Sequence, residues 1–296
     1  MVANVIHGPE VAEQIKQELR IKIAELKERG VIPGLAVVLV GEDPASQQYV
    51  RNKAKSCQEL GIYSRTILLP ADTPEAKVLE TVDELNADPA IHGFLVQLPL
   101  PKHIDENKVI MRIDPAKDAD GFHPINVGRM LIGNPVFLPA TPHGIQEMLV
   151  HSGNDPDGKH VVIVGRSNIV GKPLAAILMQ KRKGSNATVT VCHSRTQGLD
   201  AIVRTGDIVV AAIGSPKFIT ADMIKEGAVV VDVGTNRVED PTAKNGYRWV
   251  GDVDFDAVAQ KASAITPVPA GVGPMTRIML MKNAVMAACR AAGVEY

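Results

Sequence analysis

The feature that most constrains this chain is a recurrence of short, unbroken runs of branched apolar residues, separated by stretches of helical period. The runs fall at Leu35–Val40, Gly93–Gln97, His160–Val164, Thr188–Val191, Ile208–Ala212 and Val229–Val233. A strand with one wet face alternates apolar and polar side chains; a continuous run is what a strand buried on both faces of a parallel sheet requires. Helical patterns occupy Glu10–Arg29, Ala45–Leu60, Pro74–Asn86, Thr141–Ser152 and Lys172–Lys181. Strand and helix alternating at this spacing predict an α/β protein with a doubly wound parallel sheet.

The chain has 296 residues, and at ~150 residues per domain that length suggests two. Two Pro-rich segments, Gly133–Pro142 and Thr266–Pro274, divide it. Proline fixes φ and cannot donate to a ladder, so both are expected to be extended, stiff connectors. The expected boundaries are a first domain over 1–140 and a second, Rossmann-like domain over 141–274. Met275–Ala292 reads as one apolar helix ended by Gly293. It is too apolar to stand in solvent and is expected to return to the first domain; a helix capping the central sheet is the alternative.

Composition excludes several function classes. Lys plus Arg is 32 against 33 for Asp plus Glu, so no net charge draws the chain to nucleic acid or an anionic membrane. Aromatic residues are 3% of the chain, too few for a stacking platform on single strands. Cys57, Cys192 and Cys289 are isolated and form neither a metal knuckle nor a disulfide framework. The eight histidines are scattered without a metal constellation, and His123 and His143 read as structural turn residues. The amino terminus lacks a secretory pattern, and no apolar run approaches the ~20 residues of a membrane helix. A cytoplasmic protein with no membrane or nucleic-acid partner is expected.

Three turns after strands suggest a dinucleotide. Lys159–Gly165 leads through GRSNIVG, Gly165–Gly171, into a helix, a place where backbone N–H groups and the helix dipole suit an anion. The spacing departs from GxGxxG, since Ser167 replaces the second glycine and the last glycine falls one place late. A bare βα turn remains open for this segment alone. The next strand ends in His193-Ser194-Arg195, where a domain reading NAD carries an acidic residue. Ser194 and Arg195 instead suit a ribose 2′-phosphate, with Arg166 as a second charge-assisted contact. Gly214 in AAIGSP and Thr235 in DVGTNR follow later strands at the carboxyl edge where ligands sit. Together these residues predict NADP as cofactor.

A second group lies elsewhere. Tyr49 and Lys53 share one helix face; a plain amphipathic surface pair is the alternative. The Tyr-x-x-x-Lys pair of short-chain dehydrogenases follows the dinucleotide half, whereas this pair precedes it, which rejects that assignment. Gln97 in VQLPLP ends a buried strand, where a polar side chain needs a partner. Asp120 sits in KDADGFHP with no obvious helix to cap. In PVPAGVGPMT, Gly271 and Gly273 beside Pro269 leave room for a ligand to approach the backbone.

In this order the segments YVRNKAK, VQLPLP, KDADGFHPINVGRM, TPHGI, VIVGRSNIVGKP, VDVGTN, GDVDF and TPVPAGVGPMT closely resemble the bifunctional methylenetetrahydrofolate dehydrogenase/cyclohydrolase family. Ala140 departs from the cysteine usual in the family's PCTP segment, Ala270 from the first glycine of PVPGGVGP, and Arg277 from an apolar residue. Alanine at positive φ is strained, so Ala270 bears on the shape of that loop.

The resemblance implies oxidation of methylenetetrahydrofolate with NADP, then hydrolysis of the methenyl product to the N10-formyl form, in one cleft between domains. It implies that Lys53 is the catalytic base, that Gln97 orients it and helps keep it neutral, that Tyr49 stacks on the aminobenzoyl ring, and that Asp120 anchors the pterin bidentately. Pro269, Gly271 and Gly273 would contact the same substrate. Gly165, Arg166, Ser167, Gly171, Ser194, Arg195, Gly214 and Thr235 would hold NADP. A homodimer is implied by the resemblance alone. Two rivals stay open, a monofunctional dehydrogenase with weak cyclohydrolase and a non-catalytic folate- or nucleotide-binding protein.

Overall fold

A computed structural model describes residues 2–243 and 246–296. In chain order the strands are β1 (Asn4–Val5), β2 (Gly34–Val40), β3 (Tyr63–Leu69), β4 (Gly93–Val96), β5 (His160–Val164), β6 (Thr188–Cys192), β7 (Ile208–Ala211), β8 (Val229–Asp232), β9 (Asn236–Glu239), β10 (Tyr247–Val250) and β11 (Ala264–Ile265). The helices are α1 (Gly8–Glu28), α2 (Pro44–Leu60), α3 (Glu75–Ala87), α4 (Glu106–Arg112), α5 (Pro124–Leu131), α6 (Ala140–His151), α7 (Gly171–Leu178), α8 (Leu199–Val203), α9 (Phe255–Val258) and α10 (Val272–Ala291).

The chain forms two α/β units. One comprises residues 14–140 and 277–296; the other comprises 1–13 and 141–276. The division differs from the expected one at the amino terminus. Asn4 and Val5 pair in parallel with Ala264 and Ile265, so β1 completes the second unit's sheet and the boundary falls inside α1. The Pro-rich connectors also end sooner than expected. Pro142 and Pro274 stand in the first turns of α6 and α10, where a missing N–H costs nothing and a fixed φ suits the helix.

In the first unit a parallel sheet runs in the order β3-β2-β4. Ala36, Val38, Phe94 and Val96 on one face pack with Val78, Val82 and Leu85 of α3 and with Val109 of α4. The carboxyl-terminal helix α10 belongs here from Arg277 onward, as its apolarity requires. Asn283 Nδ2 donates to Ala119 O at 2.8 Å and to Leu138 O at 2.9 Å, and Cys57 Sγ lies 3.3 Å from Met281 Sδ. Its end is closed by Gly293 at φ 64°.

In the second unit six strands run β1-β11-β8-β7-β5-β6, all parallel. The path from β5 steps outward to β6 and then back across β5 to β7, so the strand order reverses there, the place where open α/β sheets hold ligands. A separate antiparallel pair, β9 with β10, projects between β8 and α9. His143 is helical rather than a turn residue: it lies in α6 with Nε2 3.1 Å from Glu147. His123 does serve a turn, its Nδ1 accepting from Ile125 N to cap α5.

Candidate functional site

The first unit gathers Lys53, Gln97 and Asp120. Helix α2 is started by Asp43, whose carboxylate accepts from Ser46 N, and by Pro44 at its first turn. It carries Tyr49 and Lys53 one turn apart on one face. Gln97 follows β4, its N–H bound to Val38 O at 2.8 Å, so the sheet sets where its side chain starts. Lys53 Nζ donates to Gln97 Oε1 at 2.9 Å, and Gln97 Nε2 donates to Leu98 O at 2.8 Å. The amide is thereby oriented with its oxygen toward the amine.

Electrostatics divide the labour. Burial pushes the Lys53 amine below its usual value of 10.5, with the Asp120 carboxylate pulling the other way. Burial likewise pushes Asp120 up to about 6, against the pull of Lys53. A carbonyl acceptor favours an ammonium at least as much as an amine, so the downward shift of Lys53 comes from burial and not from its bond to Gln97. Tyr49 is 52% exposed, its ring open to a flat partner.

Asp120 is held by its neighbours. Asp118, 2% exposed, accepts from the N–H groups of Gly121, Phe122 and His123 and from Asn126 Nδ2. Asn283 grips Ala119 O from α10. Asp120 therefore stands between two anchored residues. A larger hollow in the same unit, lined by Leu39, Val50, Arg51, Ala54 and Leu68, includes none of Tyr49, Lys53, Gln97 and Asp120.

The second unit brings its turns to one sheet edge. Val164 is in register with Cys192, and Gly165 N donates to Cys192 O at 2.9 Å, so Gly165-Arg166-Ser167 and His193-Ser194-Arg195 leave neighbouring strands at the same end. Gly165 has φ 146°, and a Cβ there would collide with Ala212 O; at Gly171 one would collide with Gly165 O. Both glycines are required where the turn after β5 folds back on itself and meets Ala212 after β7. Ser167 Oγ accepts from Val170 N at 3.1 Å, fixing the entry to α7. Arg166, Ser194, Arg195 and Thr235 are exposed.

Two family models match, "Tetrahydrofolate dehydrogenase/cyclohydrolase, catalytic domain" over residues 6–120 and the NAD(P)-binding domain of the same enzymes over 139–292. The chain belongs to the tetrahydrofolate dehydrogenase/cyclohydrolase family. It is 57% identical to the "Bifunctional protein FolD" of Chlorobium phaeovibrioides over 282 residues, 94% of this chain and 96% of that one. The protein of the same description from Dehalococcoides mccartyi is 57% identical over 296 residues, 99% of each chain. Among solved structures, the Trypanosoma brucei methylenetetrahydrofolate dehydrogenase-cyclohydrolase, complexed with NADP cofactor and inhibitor, superposes with a TM-score of 0.92 at 43% identity, covering 98% of each chain. The activity is accordingly that of a bifunctional methylenetetrahydrofolate dehydrogenase and cyclohydrolase with an NAD(P)-binding domain.

Within that family frame the remaining expected residues take these places. Pro269 and Gly271 lie in the turn from β11 into α10 and Gly273 in the first turn of α10, all in the second unit. Ala270 there has φ 77°, the left-handed conformation that glycine adopts freely. Its carbonyl accepts from Gly8 N at 2.9 Å, and Gly8 has no room for a Cβ beside Gly271 O. Gly214 has φ 73°, but its N–H donates to Asp252 Oδ2 at 2.8 Å. Among the described residues no cluster could hold a metal ion. Asp118, Asn283 and Asp252 were not singled out from sequence. Most of their partners are backbone groups, which leave no pattern in side-chain identity.

Proposed function

We propose that Lys53 is the proton acceptor for methenyl hydrolysis, with Gln97 orienting it, Asp120 anchoring the pterin and Tyr49 stacking on the aminobenzoyl ring. The observation that carries this is the 2.9 Å bond from Lys53 Nζ to Gln97 Oε1 on an amine that burial drives toward neutrality. With one N–H directed at the amide oxygen, the lone pair of a neutral amine points elsewhere. Water adding to the electrophilic methenyl carbon gives its proton to that lone pair. When the bond from this carbon to the ring nitrogen breaks, the Lys53 ammonium returns the proton to the nitrogen while the adduct's hydroxyl releases its remaining proton to water and becomes the carbonyl, leaving the N10-formyl product and one proton in solution. Asp120 offers two acceptors to the adjacent ring N–H and amino donors of the pterin.

The second unit's turns fit NADP, since Gly165 and Gly171 leave no room for side chains where backbone must approach. NADP held at this edge would supply the acceptor for the hydride that leaves the one-carbon bridge. Gly165, Ser167 and Gly171 shape the turn toward the pyrophosphate, and Gly214 and Thr235 line the same edge. Arg166, Ser194 and Arg195 hold the ribose 2′-phosphate, which makes NADP preferred over NAD. Oxidation leaves a cation spread over two nitrogens, so the protein's part in it is mainly to position. Pro269, Gly271 and Gly273 contact the folate.

We place the enzyme in the cytoplasm as a homodimer, on the resemblance and on three buried free cysteines; no described helix is long and apolar enough to cross a membrane. Sedimentation tests the dimer. An absorbance assay with methylenetetrahydrofolate and NADP, following methenyl formation and decay separately, tests the function. Both phases are expected; formation without enzymatic decay would favour a monofunctional dehydrogenase.

A further inference from the structure

The loop after β7 is held by a carboxylate from a distant segment. Asp252, fully buried, lies between β10 and α9. Its Oδ2 accepts from Ile213 N at 2.7 Å and Gly214 N at 2.8 Å, and its Oδ1 accepts from Ser215 N at 3.0 Å and Asn236 Nδ2 at 2.8 Å. Three consecutive N–H groups turned to one anion make a backbone nest, and here the chain's own carboxylate fills it. Asp252 is itself seated by Asp232 at the end of β8. Asp232 Oδ1 accepts from Asp252 N at 2.9 Å and from Gly234 N at 2.9 Å, and its Oδ2 accepts from Val253 N at 3.0 Å. Side chains at Gly234 and Gly251 would strike these two carboxylates.

We propose that Asp252 is a positioning residue of the cofactor site: by filling the nest of Ile213–Ser215 it sets that loop, and Gly214 in it, in the shape the dinucleotide needs. This rests on the reading of Gly214 and Thr235 as cofactor-binding. The chain links the two: Asp252 holds the loop after β7 and, through Asn236, the residue next to Thr235. A nest already occupied by a carboxylate cannot take a phosphate, so cofactor phosphates belong at the Gly165–Ser167 turn and at Arg166 and Arg195. The Ile213–Ser215 loop is left with acceptor oxygens, suited to donor groups such as a carboxamide or a ribose hydroxyl.

The test uses the full-length enzyme and both activities. Asp252→Asn places an amide donor against backbone donors. It is expected to raise KM for NADP at least tenfold, while methenyl hydrolysis measured without NADP stays within twofold. A merely structural role would lower both activities together. Should that variant lose both, Asn236→Ala decides, because it removes one donor and leaves the carboxylate in place. A rise of about threefold in KM for NADP with hydrolysis intact supports the proposal, and an unchanged KM overturns it. Arg166→Ala is measured in parallel. If it raises KM for NADP while Asp252→Asn, still active in hydrolysis, does not, the positioning role falls and the cofactor site stands. If neither variant changes KM, the reading of the cofactor site falls as well.

Discussion

The two units build their sites from different parts of the chain. The first presents side chains: an amine, an amide and a carboxylate, each carried to its place by a helix face, a strand end or an anchored loop. The second presents backbone turns, and its buried side chains serve to hold those turns. Asp120 and Asp252 show the contrast. Asp120 is pushed up to about 6 by burial, whereas Asp252 gathers three backbone N–H groups and one amide. One carboxylate is the proposed anchor for the pterin, the other is consumed by the fold. A site of the first kind is expected to lose a chemical step when one side chain changes, and a site of the second kind to lose affinity in graded fashion.

The largest effect expected is for Lys53→Met, which keeps length and packing but has no basic nitrogen. Methenyl hydrolysis should fall to the uncatalysed background while much of the dehydrogenase remains. Hydrolysis at the wild-type rate would assign the proton to another group. Next is Asp120→Asn, which turns one acceptor into a donor facing a donor; an unpaired buried polar group costs about 1–3 kcal/mol, so both activities fall together through a raised folate KM. An unchanged folate KM would break the contrast with Asp252.

Losing one charge-assisted bond costs about 1.5–3 kcal/mol, so Arg166→Ala or Arg195→Ala should weaken NADP by one to two orders of magnitude and leave NAD nearly unchanged. Equal loss for both cofactors would mean that the arginines support the turn itself.

A smaller effect follows from pH. The folded value of Asp120 is about 6 against an ordinary 3.8. The folded state therefore binds more protons than the unfolded chain between these values, and this group's contribution to stability rises as pH falls through 6. Folate binding moves the other way, since a protonated Asp120 has lost an acceptor. Wild type should gain thermal stability relative to Asp120→Asn and lose folate affinity between pH 7 and 5; Asp232, also raised to about 6, contributes equally to both proteins and cancels in the comparison. The smallest effect belongs to Ala270. A non-glycine residue in left-handed conformation costs about 1 kcal/mol, so Ala270→Gly should raise Tm slightly, read by calorimetry.

Legibility in the sequence follows the same division. Strands β2, β4, β5, β7 and β8 stand out because both faces are buried and their residues are continuously apolar. Strand β3 does not, because Ser64, Arg65 and Thr66 lie on the sheet's edge where one side of the strand is unpaired. The β9–β10 hairpin is equally hidden, with Arg237, Glu239 and Arg248 in a pair of strands outside the main sheet. Tyr49 and Lys53 are legible from helix register, and Gln97 and Asp120 from polar residues placed where nothing structural explains them. Asp118 and Asp252 are ordinary acidic letters in the sequence. Their importance lies in which backbone groups the fold turns toward them.

Burial that lowers the Lys53 pKa, and a hydrogen bond to Gln97 that orients the amine, are what most directly support Lys53 as the base. A titration of lysine Cε resonances in labelled enzyme measures this directly, with Lys53→Met identifying the signal that disappears. Lys53 is expected to titrate below 10.5, the ordinary value, with a free-amine fraction detectable at the pH where the enzyme works. A Lys53 signal that stays fully ammonium at that pH would contradict the assignment of Lys53 as base.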